Sequence, residues 1–340
     1  MAVTLKDVSR EAGVATATAS YILSGKADQM KIAESTQKVV MEVARKLNYR
    51  ANLVAKNLRK RSTRAVGVVF NDLNSSWANQ VMLGINDFLF QEDYQPMIGI
   101  TFFDSSREQK IINAFLDNQI EALIIQPLQD SAAFYRKLSE LRRIPFAFIG
   151  ESVDNAPAKA FMLDPVAAGR LQVSHLAEQG HRLIAVVTSD NKSIQSSGRL
   201  LGAEQRIAEL GLDYPEGFRR VTCNMSPEQD AANTLELLKL PTPPTAIAVT
   251  NDIIAYHVMS ALNEIGRSDI AVMGIGDLPE SSHAMIGLST VVEPREEMGR
   301  ECASYIISQL GDSLENKDTG PVLFKGALAA RRSSLFVNIN

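Results

Sequence analysis

Six polar residues, Asn71, Gln126, Glu151, Asn251, Asp252 and Asp277, stand at or just past the carboxyl ends of short apolar runs. In open α/β sheets, ligands settle beyond the carboxyl ends of the strands, where amides and carboxylates exchange hydrogen bonds with a polar small molecule. Catalysis needs more than this. The chain has no phosphate-binding glycine loop, no HExxH, no GxSxG and no CxxC, and the glycines of GIG at Gly274 lack the rest of a dinucleotide fingerprint. The four histidines are scattered, and His181, in the turn GHR, reads as a structural turn residue. No enzyme, no cofactor and no metal site are expected. A second set of residues points to a different chemistry: Thr16, Ala17, Thr18, Ser20 and Tyr21 form the outward face of one short helical stretch. Short polar and aromatic side chains in that arrangement suit base edges and phosphates in a major groove.

That stretch belongs to Val3–Ser24, VTLKDVSREAGVATATASYILS. Thr4 stands three residues before Asp7, a variant capping box, and Leu5, Val8 and Ala12 follow at helical spacing. Gly13 sits where a left-handed turn residue belongs, and a second amphipathic run carries Ala19, Ile22 and Leu23 inward until Gly25 stops it. The pattern is helix-turn-helix, although two helices joined by a glycine turn also occur as plain packing units. A third helix, from about residue 32 to 47, has Val39, Val40, Val43 and Leu47 as its apolar stripe and ends at Asn48 and Tyr49. Residues 1–49 thus form an all-α headpiece. Residues 50–64 hold a short helix-capable piece, NLVAKNL, and a basic run, RKRSTR, which on composition alone is a tether.

Charge divides the same way. Residues 1–64 carry 13 Lys and Arg against 5 Asp and Glu, a net of +8, whereas the rest carries 22 against 34, a net of −12. A basic head on an acidic body implies that only the head meets a polyanion. Two cysteines, Cys223 and Cys302, are too few and too distant for a zinc site or a disulfide framework. No signal segment and no apolar run of about 18 residues is present, so export and membrane insertion are not expected and a cytoplasmic place is.

From Ala65 onward short apolar runs alternate with helical stretches: AVGVVF, PMIGIT, ALIIQP, PFAFIG, LIAVV, AIAVT and IAVMGI. Continuous apolar strands between helices predict parallel sheets covered on both faces. The strands suffice for two sheets within 65–340, with a change of subdomain near Asp164 and a return near Val292.

In order along the chain, VTLKDVSREAGV, TASYILSG, LNYRAN, VAKNL, AVGVVFNDLNSSW, HLAEQGHRLIAVV, RLLGAEQRIAELGL, PPTAIAVTNDIIA, VMGIGDLP, LSTVVEP and RRSS together resemble the LacI/GalR family of bacterial transcription regulators. The resemblance implies a helix-turn-helix headpiece, a hinge helix, and a core of two parallel-sheet subdomains similar to periplasmic sugar-binding proteins, with an effector held between them. It implies homodimers on near-palindromic double-stranded operator DNA, in the bacterial cytoplasm at the nucleoid. Carried over by motif, DNA contacts fall on Thr4, Thr16, Ala17, Thr18, Ser20, Tyr21, Thr36, Tyr49, Asn52, Ala55, Lys56 and Leu58. Leu58 would wedge into the minor groove, its place in VAKNL beside RKR outweighing the reading of it as a core leucine. Effector contacts fall on Asn71, Trp77, Gln126, Glu151, Arg199, Asn251, Asp252 and Asp277, with Trp77 as a stacking surface.

The departures from the family pattern bear on specificity. Tyr21 replaces an Arg that donates two hydrogen bonds to guanine. Ala15 replaces a capping Ser, which leaves Thr16 to cap the recognition helix instead of reading a base. Ala51 replaces a Pro before the hinge Asn. In the cleft, Gly150 and Gly276 replace two aspartates that grip sugar hydroxyls, unless Glu151 and Asp277 substitute for them, so the effector need not be a plain hexose. No leucine heptads follow RRSS, and a coiled-coil tetramer is not expected. The leading expectation is an effector-controlled repressor. The alternative, a small-molecule binding protein without DNA function, predicts no basic headpiece and an export signal, the reverse of what this chain carries.

Overall fold

The structure is a computed structural model that describes residues 3–49, 62–142, 144–189, 193–212, 220–223, 226–310 and 319–335. It divides between Thr63 and Arg64 into two compact units.

The first unit holds α1 (Leu5–Glu11), α2 (Thr16–Leu23) and α3 (Glu34–Lys46). Thr4 caps α1 through a reciprocal box: its side chain accepts from the Asp7 N–H, while its own N–H donates to the Asp7 carboxylate at 3.0 Å. Gly13 takes φ +64°, a conformation that costs a side-chain-bearing residue about 1–2 kcal/mol, and so turns α1 into α2. Val8, Ala19, Ile22, Ala27, Val40 and Ala44 form the core. Val39 departs from its expected place and lies exposed, because the 3.6-residue period that buries Val40 and Ala44 turns position 39 outward.

The second unit contains two six-stranded sheets. The first has order β11-β5-β4-β3-β1-β2 and all its pairings are parallel; the second has order β12-β10-β9-β8-β6-β7, parallel except that β12 runs antiparallel to β10. The strands are β1 (Ala65–Phe70), β2 (Gln95–Ile100), β3 (Ala122–Ile125), β4 (Phe146–Ile149), β5 (Lys159–Leu163), β6 (Ile184–Ser189), β7 (Arg220–Cys223), β8 (Ala246–Val249), β9 (Ala271–Gly276), β10 (Ser289–Val292), β11 (Val322–Phe324) and β12 (Ala327–Ala329). Between them run α4 (Ser76–Gln91), α5 (Ser105–Asp117), α6 (Ala132–Arg142), α7 (Pro165–Glu178), α8 (Ile194–Glu209), α9 (Pro227–Leu238), α10 (Asp252–Glu264) and α11 (Arg295–Ser308).

The chain passes between the sheets after β5, after β10, and again between β11 and β12. At the first passage Asp164 caps α7, accepting from the Ala167 N–H, and Pro165 opens the helix where no backbone donor is needed. The second delivers α11 to the first sheet, where Met298, Cys302 and Ile306 pack with β1, β3 and β4. In each half two helices touch backbone to backbone at glycines: Gly84 and Gly299 join α4 to α11, and Gly169 and Gly202 join α7 to α8. A Cβ at any of these four would collide with the facing main chain.

Candidate functional site

The headpiece presents α2. Thr16, Ala17 and Tyr21 are exposed, Thr18 and Ser20 half-exposed, and Ala19 and Ile22 hold the opposite face in the core. Tyr21, 37% exposed, directs its ring away from that core. Thr16 does not cap α2: Ala15 is the cap residue with no side-chain bond, and the Thr16 hydroxyl lies 3.1 Å from that of Ser9. The reason is positional, since Thr16 is already the first helical residue and its side chain turns back onto α1. Thr4 is committed to its capping box, its hydroxyl donating to Asp7 at 2.7 Å, which holds the Asp7 carboxyl below the usual range. Thr36 is half-buried in the first turn of α3, and Tyr49 packs against the headpiece core. Asn52, Ala55, Lys56 and Leu58 lie outside the described residues.

In the core, the strand ends converge where the sequence places them, but most of their polar groups serve the protein itself. The Asn71 N–H donates to Gln126 Oε1 at 3.0 Å and the Thr101 hydroxyl to Asn71 Oδ1 at 2.7 Å. Asn251 is the N-cap of α10, accepting from the Ile254 N–H at 2.9 Å. Asp252 is 1% exposed and accepts three bonds: Oδ1 from Thr290, and Oδ2 from Ser281 and the Leu278 N–H. Burial raises its carboxyl above the usual range against those three donors. It is a brace tying α10 to the 277–282 loop: the protein itself takes three of its about four acceptor sites, and the residue is almost fully buried. Asp277, at φ +57°, is drawn off to Arg331, 2.7 Å away.

Arg199, Glu151 and Trp77 are the remaining candidates. Arg199 donates one bond, Nη1 to the Thr250 carbonyl at 2.9 Å, and its buried Nε has no hydrogen-bond partner. Burial lowers its affinity for a proton, while Glu293, Glu151 and Asp252 act in the opposite sense. Glu151 reaches from β4 to the start of α8, where it accepts from the Gln195 N–H at 3.4 Å and from Ser193; burial raises its carboxyl. Trp77 meets Phe70 edge to face at 6.5 Å, and its six-membered ring rests on Gly150. Gly150 takes φ +79°, and a Cβ there would stand closer than 3.0 Å to the indole. The absence of a side chain at position 150 and the presence of an indole at 77 are thus one structural fact. A Cβ on Gly276 would likewise approach Arg295 at 3.2 Å.

Sequence reasoning missed Glu293 and Arg295, both buried at the second passage between sheets. The visible signal was EPR at residues 293–295: two opposite charges flanking a proline at a strand's carboxyl end. It also missed Ser193 and Gln195, whose only mark is a short polar stretch before α8. No group of three or more His, Cys, Asp or Glu able to hold a metal occurs among the described residues. No described helix is long and apolar enough to cross a membrane.

Residues 4–52 match the model for bacterial regulatory proteins of the lacI family, and residues 173–334 match that for the periplasmic binding protein-like domain. The chain is 28% identical over 318 residues to the probable HTH-type transcriptional regulator EndR of Paenibacillus polymyxa, covering 91% of each. It is 23% identical over 319 residues to the ribose operon repressor of Haemophilus influenzae, covering 93% of this chain and 94% of that one. Its fold matches a lac repressor dimer bound to operator and the anti-inducer ONPF, with a TM-score of 0.84 at 24% identity over 99% of this chain and 100% of that one. The chain thus joins a helix-turn-helix headpiece of the lacI family of bacterial regulatory proteins to a two-sheet core of the periplasmic binding protein-like kind.

Proposed function

We propose that the protein is a sequence-specific transcriptional repressor whose operator affinity is set by a small molecule held between the two core subdomains. The observation that carries this reading is the pairing, in one chain, of a +8 headpiece exposing a short polar helix face with a core that buries an incompletely bonded arginine, Arg199, near Glu293, Glu151 and Asp252. In this reading Thr16, Ala17, Thr18, Ser20 and Tyr21 face the major groove, Thr4, Thr36 and Tyr49 contact phosphates from helix ends, and Asn52, Ala55, Lys56 and Leu58 supply the hinge contacts. Arg199, Glu151 and Trp77 touch the effector directly. Asn71, Gln126, Asn251, Asp252 and Asp277 hold the cleft in shape.

The working unit is a homodimer. Phe90 is 73% exposed on α4, and Leu83 on the same helix, Ile98 on the edge strand β2, and Phe102 and Phe103 beyond it are exposed as well. A second copy covering these apolar side chains would supply two headpieces for the two halves of a near-palindromic site, in the bacterial cytoplasm at the nucleoid. Selection of duplexes from a random pool by the full chain tests the DNA half: a half-site repeated with two-fold symmetry is expected, and a pool that stays random refutes it. A thermal-shift screen of sugars, sugar phosphates, nucleosides and amino acids tests the other half, with Arg199→Ala expected to abolish the response to whichever compound stabilises the wild type.

A further inference from the structure

Arg295 is the first residue of α11 and is 3% exposed. Its guanidinium has partners in both halves of the core. Nη1 donates to Gln80 Oε1 on α4 at 2.7 Å and to the Asp277 carbonyl at 3.4 Å; Nη2 donates to the Gly276 carbonyl; and Nε faces the Glu293 carboxylate at 3.6 Å. Gln80 belongs to the half built on the first sheet, and Gly276 and Asp277 end β9 of the second. Because α4 and α11 are locked together at Gly84 and Gly299, Gln80 and Arg295 move as one piece. Rotation of one half against the other must therefore lengthen the bonds to Gly276 and Asp277 or drag the β9 end along. The fork geometry matters here, since a guanidinium can hold a side-chain acceptor and two main-chain carbonyls at once, and an ammonium cannot span them.

We infer that Arg295 is a positioning residue: a strap across the second passage that fixes the angle between the two halves and thereby sets how far the cleft's state is transmitted to the headpiece. This rests on the repressor reading above, but only in its link to DNA. Gly276 takes φ +144°, which itself favours glycine, and a Cβ there would also approach the guanidinium at 3.2 Å. It acts beside the effector groups without being one of them: its charge is felt at Arg199 and at Asp252, so shifting it changes the field in the cleft as well as the angle.

Hydrogen–deuterium exchange on the full chain reads the strap directly, because the Asp277 and Leu278 amides donate to Thr290 and Asp252 beside it. Arg295→Gln should raise exchange at these two amides about five-fold or more, the low end of a typical allosteric coupling, while peptides from the middle of α4 and α11 keep their wild-type protection. Affinity for a duplex selected by the wild type should shift by a similar factor. Arg295→Lys should recover only part of either effect. Wild-type exchange at 277 and 278 in Arg295→Gln overturns the inference, as does a rise spread equally over α4 and α11, which would make Arg295 an ordinary core residue. Should Arg295→Gln not fold, Gln80→Leu removes one arm and keeps the charge; a smaller rise at the same two amides is expected, and none overturns the strap. Changed exchange with unchanged operator affinity refutes the link to DNA and leaves the strap standing. A wild type that selects no duplex sinks the repressor reading alone.

Discussion

Gly150→Ala is the most economical probe of how this cleft was built. Two costs add. At φ +79° an alanine carries the left-handed penalty of about 1–2 kcal/mol. Its methyl would also lie closer than 3.0 Å to Cη2 and Cζ2 of Trp77, forcing the ring off Gly150, and overpacking of this kind costs about 1–3 kcal/mol. The expected loss of core stability is thus about 2–5 kcal/mol, from adding the two ranges. The terms separate in a Trp77→Phe background, because phenylalanine lacks the outer ring atoms that meet the new methyl. There, Gly150→Ala should cost only the backbone part, leaving a coupling of about 1–3 kcal/mol between the positions. Urea unfolding of the four proteins followed by circular dichroism gives that coupling. Equal costs in both backgrounds would refute the steric argument and leave the glycine explained by φ alone.

The charge split makes DNA binding strongly salt-dependent: with six or more phosphates neutralised per complex, affinity should fall about 1,000-fold or more between 50 and 200 mM salt, and a flat log–log plot would contradict a headpiece-driven interaction. Tyr21→Arg should shift the selected operator toward guanine at one half-site position, by roughly 1–3 kcal/mol of discrimination. Glu108 is buried against Ser131 and Tyr135, and burial raises its carboxyl above the ordinary value. The folded state then holds its proton to higher pH than the unfolded chain, so stability falls as pH rises between the unfolded and folded values. Glu108→Gln should flatten that part of the melting temperature against pH, and an unchanged slope would assign it to other groups.

The strands that sequence revealed, such as AVGVVF and AIAVT, are those buried on both faces, where nothing but apolar residues fits. Lys159–Leu163, Arg220–Cys223 and the two three-residue strands β11 and β12 were not legible: each is short, or sits at or next to a sheet edge, with polar residues mixed in. The third passage between the sheets, at Lys325 and Gly326, has no sequence signal beyond one glycine, whose missing side chain lets Val291 approach. Of the cleft, sequence located the strand ends correctly but could not tell which groups were already bonded. Asp252 and Asn251 look alike as ligands on paper. Only the positions of Thr290, Ser281 and the Ile254 amide, 3 to 38 residues away, show that both already bond to the protein itself. Conversely, Arg295 reads as a surface charge until Gln80, 215 residues earlier, is found beside it.

The two edge strands β11 and β12 have a consequence for how the protein is made. Each closes one sheet, and α11, which fills the core under the first sheet, comes just before them. Each half of the core therefore acquires its last strand only once Phe324 or Ala329 has been made. The headpiece, by contrast, has its own core within the first 49 residues and is finished early. During synthesis a nascent chain thus carries a folded basic headpiece long before the part that would restrain it exists. On the repressor reading proposed above, control would arrive only with those last strands.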